Sequence, residues 1–202
     1  LVEQTALGRS MTEWVVGQAI GQARSWMLAG KPHAMSINAS AMNLDEEDFA
    51  ERLLAAACGA GVNPADLELE FTESAIARDA DRVIDQLRHL RDHGVSIAID
   101  DFGTGYSNLS YLQKLPVSVL KIDQAFVRDM ANSTRDSSLV RTMITMGHDL
   151  GYRVVAEGIE NRDVFDMLGE WGCDEGQGYF MSRPVHADSV FGPSETRLTA
   201  VA

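Results

Sequence analysis

Short apolar runs alternate with helix-patterned segments along this chain, and nearly every run delivers a polar side chain at its C-terminal end. The runs are 33–38 (HAMSIN), 67–71 (LELEF), 95–99, 117–122, 152–156 and a last short one at 175–177. Strands that alternate with helices imply parallel βαβ units. LELEF also alternates with period two, as a strand should.

The intervening segments carry helix signals. Ser10-Met11-Thr12-Glu13 reads as a capping box. It opens a helix to about Ala29, with Val15, Ala19, Ala23 and Trp26 on one face, and Gly30 and Pro32 stop it. Asp45 is the expected N-cap of the next helix, with Leu44 and Phe49 as a hydrophobic staple. Asn63-Pro64 marks a turn. A helix over 79–93 uses Val83, Leu87 and Leu90 and ends at Gly94; further helices are expected over 137–150 and 163–171. Residues from 193 onward read as a tail.

Six predicted strands leave two architectures open: an open doubly wound sheet, or a barrel of eight strands without its first two. The polar strand ends favour the barrel. They are Asn38; Glu70 and Glu73; Asp100-Asp101; Lys121 and Asp123; Glu157 and Glu160; and Gln177. In a barrel these ends converge on one face, which is where such folds carry their active sites. In an open sheet they would be strung along an edge. One acid after one strand is ordinarily a cap or turn residue; the same feature after strand upon strand is not.

Asp100-Asp101 is the sharpest signal, because adjacent carboxylates repel unless a cation or proton lies between them. Clustered acids with an amide suit hard ions such as Mg²⁺ or Mn²⁺. Two such ions can activate water against a phosphodiester, and a lysine such as Lys121 can orient that water. The Gly-rich stretch 102–110 is expected to position Asp100 and Asp101.

Charge and cysteine usage narrow the partners. A net charge of -13 argues against duplex nucleic acid. Cys58 and Cys173 have no metal-ligand spacing, and Cys58, in an Ala-rich run, is expected in the core. No apolar run approaches the roughly 20 residues of a membrane span, so no direct membrane contact is expected from this segment. A chain of 202 residues is read as one domain, 1–202. It is short for a complete (β/α)₈ barrel of about 250 residues. It begins at Leu1, and a longer parent is expected.

The segments SINAS (36–40), LELEFTES (67–74), AIDDFGTGYSNLSYLQKLPVSVLKIDQAFV (98–127), VVAEGIEN (154–161) and GCDEGQGYFMSRPV (172–185) carry a resemblance. In order and spacing they resemble the EAL domains that hydrolyse the bacterial second messenger cyclic di-GMP. That resemblance implies a modified TIM (β/α)₈ barrel, here without its first strands, and two-metal hydrolysis of cyclic di-GMP to linear pGpG with Mg²⁺ or Mn²⁺. It implies Asn38, Glu70, Asp100, Asp101 and Glu157 as metal ligands, and Lys121 as the residue that holds or activates the attacking water. Glu73 would anchor the 101–110 loop, while Asp123, Glu160 and Gln177 would support the site. A cytoplasmic location and a homodimer are implied as well, and a membrane-anchored parent is compatible with both. The chain departs from the family in lacking the Glu-Ala-Leu motif. In the family, the first two strands, which lie outside this sequence, carry a further metal-binding Glu and a nearby substrate-gripping Arg. A catalytically inactive cyclic di-GMP receptor or a regulatory domain is the alternative. The segment expressed alone, with sheet edges exposed, is expected to be unstable.

Overall fold

The computed structural model describes residues 6–76, 80–104 and 112–191. By contact density the chain forms two compact units: 1–100 with 105–118, and 101–104 with 119–202.

The first unit opens with helix α1 (Ala6–Leu28). Ser10 lies inside it, so the expected capping box is not its start; helix-favouring Ala6 and Leu7 carry the helix further back. Its buried face is Val16, Ile20 and Ala23, whereas Val15 is 37% exposed. Spacing of four and three residues serves either face, and packing selects the second.

Strand β1 (Met35–Asn38) is followed by the short helix α2 (Ala41–Leu44). Ser40, not Asp45, caps α2, and Asp45 ends it. The cap is reciprocal: Ser40 N–H donates to Asn43 Oδ1 at 2.9 Å, and Asn43 N–H donates to Ser40 Oγ at 3.4 Å. Thr12 of α1 joins it, accepting from Asn43 Nδ2 at 3.0 Å.

Helix α3 (Phe49–Ala60) has Asp48 at its N-cap, with no side-chain cap bond. The amide of Gln86 serves instead, accepting from Ala50 N–H at 3.0 Å and donating to the Glu46 carbonyl at 2.9 Å. The expectation for Cys58 is corrected: it is exposed, and Leu53 and Ala57 hold the buried face of α3. One residue is about 100° of helix rotation, enough to move a side chain from core to solvent.

Strand β2 (Leu67–Thr72), helix α4 (Ala80–Asp92) and strand β3 (Ser96–Phe102) follow. Val83, Leu87 and Leu90 face inward from α4 as their spacing requires, and Gly94 adopts φ +100° after it. The strands are parallel. Met35 pairs with Leu67 through to Asn38 with Glu70, and Glu68 pairs with Ser96 through to Thr72 with Asp100.

The second unit contains β4 (Val119–Ile122), α5 (Gln124–Val127), α6 (Thr134–Asp149), β5 (Arg153–Ala156), α7 (Arg162–Glu170) and β6 (Glu175–Gly176). Ser133 caps α6 through Asp136 N–H at 3.2 Å. Asn161 caps α7 through Val164 N–H at 3.0 Å. Strands β4, β5 and β6 are parallel, with Lys121 opposite Val155 and Ala156 opposite Gly176. In each unit the strands neighbour one another in chain order. Order without reversal is what a barrel produces; an open doubly wound sheet reverses at a switch point. Residues 193–202, expected as a tail, lie outside the described residues.

Candidate active site

In the first unit the register aligns Asn38 with Glu70, so the two lie side by side at the ends of β1 and β2. Glu70 pairs with Ala98, and Asp100 is two residues further along β3. A period of two puts Asp100 on the face that carries Glu70. Glu70 is buried at 6% exposure, Asp100 is half-buried and Asn38 is exposed. Asp100 and Asp101 lie within β3 rather than after it, because pairing with Thr72 extends the strand through Asp100.

A second carboxylate on the same face was not anticipated. Glu68 accepts from Ser36 Oγ at 3.2 Å and from Ser96 Oγ at 3.1 Å, and Ser96 in turn meets Ser118 Oγ at 3.0 Å. Its signal was in the alternation of LELEF, which sets both glutamates on one face.

In the second unit Asp101 has φ 52°, the one non-glycine among the described residues with positive φ. A side chain in that left-handed region is strained, and such strain clusters at functional sites. The Asp101 carbonyl accepts from both the hydroxyl (2.8 Å) and the N–H (3.2 Å) of Thr104. Gly103, at φ +97°, closes the turn; a Cβ there would stand 2.7 Å from Met143 and 2.9 Å from Phe126.

Lys121 is buried, and its Nζ lies 2.7 Å from Glu157 Oε1. Register explains the pairing: Lys121 is opposite Val155, and Glu157 is two residues beyond on the same face. The carboxylates of Asp101 and Glu157, both in this unit, offer oxygens within 4.8 Å of one another. Bare carboxylates at that separation repel. An all-oxygen, anionic donor set is what a hard divalent cation requires, so these residues fit Mg²⁺ or Mn²⁺.

The remaining expected residues lie just after β2, β4, β5 and β6. Asp123 accepts from Ala125 N–H at 2.7 Å and caps α5 immediately after β4. Glu160 pairs with Arg128 at 3.2 Å, both side chains exposed. The backbone of Gln177 donates to the Ala156 carbonyl at 2.8 Å and accepts from Ile159 N–H at 3.0 Å, which pins the Glu157 turn against β6. Gly158 turns there at φ +72°, where a Cβ would collide with Gln124. Glu73 begins a 3-10 turn, Glu73–Ile76, and is half-buried; residues 105–111 of the loop it was expected to anchor lie outside the described residues.

Comparison with known proteins fits this geometry. The chain is 44% identical over 185 residues to a cyclic di-GMP phosphodiesterase of Pseudomonas aeruginosa, covering 92% of this chain and 32% of that protein. The chain therefore spans about a third of the length of that curated relative. Among solved structures, the PaMucR phosphodiesterase in complex with c-di-GMP is 36% identical, with a TM-score of 0.87 over 93% of this chain and 76% of that one. A manganese and cy-diGMP complex of Klebsiella pneumoniae BlrP1 is 31% identical, with a TM-score of 0.76 over 86% of this chain and 45% of that one. These likenesses assign the α/β fold to the modified (β/α)₈ barrel class. Residues 1–184 match the EAL domain, and the chain belongs to the EAL domain family.

Proposed function

We propose that this chain is a metal-dependent phosphodiesterase that hydrolyses cyclic di-GMP to linear pGpG. The observation that carries this reading is the pair of Asp101 and Glu157 carboxylates, with oxygens within 4.8 Å of one another and the Lys121 ammonium 2.7 Å from Glu157. The names of the similar proteins, cyclic di-GMP phosphodiesterases and c-di-GMP complexes, support the substrate.

Asn38, Glu70, Asp100, Asp101 and Glu157 would hold Mg²⁺ or Mn²⁺, two ions per site. The chemistry these ions supply when bound is neutralisation of phosphoryl charge and a lowered pKa for an attacking water. Lys121 does two things. Its bond to Glu157 fixes the orientation of that carboxylate, and its remaining N–H donors can hold the water in line or meet developing charge. Asp123 supports Lys121 by capping the helix that begins next to it. The Glu160 pair and the Gln177 backbone bonds keep the Glu157 turn in register. Glu73 would anchor the loop from Asp101. Copies are expected to pair through elements near that loop, and the cytoplasm is the expected place of action. No described helix is long and apolar enough to cross a membrane.

The test is incubation of the intact protein with cyclic di-GMP and Mg²⁺, following pGpG by chromatography, beside an EDTA sample and an Asp100→Ala variant. Product only with metal and intact Asp100 is the expected result. A folded protein that binds the dinucleotide without cutting it would overturn the enzyme reading and make the chain a receptor.

A further inference from the structure

Resting on the proposed activity, we propose that the ring of Tyr179 is the platform on which a purine base of the dinucleotide stacks, backed by Arg183. The segment after β6 carries adjacent aromatic residues with different fates. Phe180 packs on Phe165 of α7, ring centroids 5.5 Å apart. Tyr179 is 56% exposed, and the Arg183 guanidinium stands 4.5 Å from its ring centroid. With more than half of the residue exposed, the ring keeps surface for a planar partner.

The platform is rigid and tied to the candidate site. Phe180 N–H donates to the Ile159 carbonyl at 3.0 Å, while Met181 and Ser182 N–H groups donate to the Gly178 carbonyl at 3.1 and 3.2 Å. Gly178 approaches the backbone of Ile159 so closely that a Cβ would collide with it. Residues 177–182 are therefore tied by hydrogen bonds to the turn that carries Glu157. An exposed aromatic ring on a segment bonded to the turn that follows Glu157 matches how nucleotide bases are bound. Stacking gives affinity, and a guanidinium behind the ring adds to the platform through its own contact with the ring.

Steady-state kinetics of the intact protein with cyclic di-GMP and Mg²⁺ test this through Tyr179→Ala and Tyr179→Phe. Loss of stacking is expected to raise KM by roughly tenfold or more with kcat within about twofold of wild type. The Phe variant, which keeps the ring, is expected to stay within about twofold in both. An Ala variant with unchanged KM, in a wild type that turns over, overturns the platform and leaves the enzyme reading intact. So does an Ala variant with a lowered Tm and unchanged KM, which would mark the Arg183–Tyr179 contact as structural. A wild type that neither binds nor cleaves cyclic di-GMP overturns both.

Discussion

At its N-terminal end strand β5 meets a network of ordinary stabilising contacts. Asp174 accepts from Val154 N–H at 2.7 Å and pairs with His148 Nε2 at 2.9 Å. Arg153 pairs with Glu175 at 2.9 Å, and the buried Cys173 thiol points at the Val154 carbonyl at 3.5 Å. Opposite charges or donors and acceptors face each other throughout. At its C-terminal end, four residues from Arg153, the same strand hands over to Glu157, which shares its surroundings with Asp101 and pairs with the buried Lys121. Like charges gather there, and the backbone of Asp101 is strained. The first arrangement lowers the free energy of the folded chain. The second raises it unless cations bind, and that division of labour between strand ends is the pattern of enzymes built on parallel barrels.

Changes at the two ends should therefore separate in what they disturb. The largest effect is expected from Lys121→Met, which keeps the length of the side chain and removes the ammonium. The catalytic rate, followed as pGpG release, should fall by about 10²- to 10³-fold, the scale for losing one preorganised charge partner. A loss below tenfold would take Lys121 out of the chemistry. Next comes Gly178→Ala, where the added Cβ meets the Ile159 backbone. Displacing that turn should destabilise the protein by about 1–3 kcal/mol, read from denaturant unfolding, and should also lower activity because the Glu157 turn moves with it. Unchanged unfolding would show that the turn yields without consequence.

A smaller effect concerns acid. Burial pushes the Asp174 carboxyl up, but the Val154 N–H, His148 and the nearby Arg153 outweigh it, and its pKa lies below the ordinary value of 3.8. A carboxyl whose folded-state pKa is depressed stabilises above the unfolded value and loses that contribution as pH falls through the folded one. The Tm of wild type should exceed that of Asp174→Asn at neutral pH, and the gap should close below about pH 3.8. A gap independent of pH would mean that the carboxylate charge contributes nothing. The smallest effect leaves the fold alone. Burial pushes the Cys173 thiol up to about 11, whereas Cys58 is exposed. Brief alkylation of the native protein followed by peptide mapping should label Cys58 and spare Cys173 until denaturant is added.

What could be read from the sequence follows the range of the forces involved. The strand and helix alternation and the inward face of α4 are set by local periodicity, and both were legible. The limits of β3 were not, because Asp100 is drawn into the strand by its pairing with Thr72, a contact between distant segments. The start of α3 was hidden for the same reason: its capping group is Gln86, 36 residues from Ala50. Cys58 failed by one helical position, which a run of alanines cannot discriminate. In the candidate site, Asp100, Asp101, Lys121 and Glu157 were legible as polar ends of apolar runs. The left-handed backbone of Asp101 was not, since an aspartate carries no signal for a conformation that glycine ordinarily takes. The particular metal, substrate and role of each residue came from the family resemblance and not from periodicity or spacing.

The central claim is that the C-terminal end of these strands is built for chemistry and the N-terminal end for stability. It is tested most directly by measuring cyclic di-GMP hydrolysis and Tm on two variants of the intact protein, Asp101→Asn and Asp174→Ala. Asparagine tolerates positive φ and relieves the repulsion among the clustered carboxylates. Asp101→Asn should therefore lose activity by about 10²-fold or more while its Tm stays level or rises. Asp174→Ala should lower Tm while keeping kcat within about twofold, because its partners lie at the far end of β5. An active Asp101→Asn, or an Asp174→Ala that loses activity at wild-type Tm, would contradict the account.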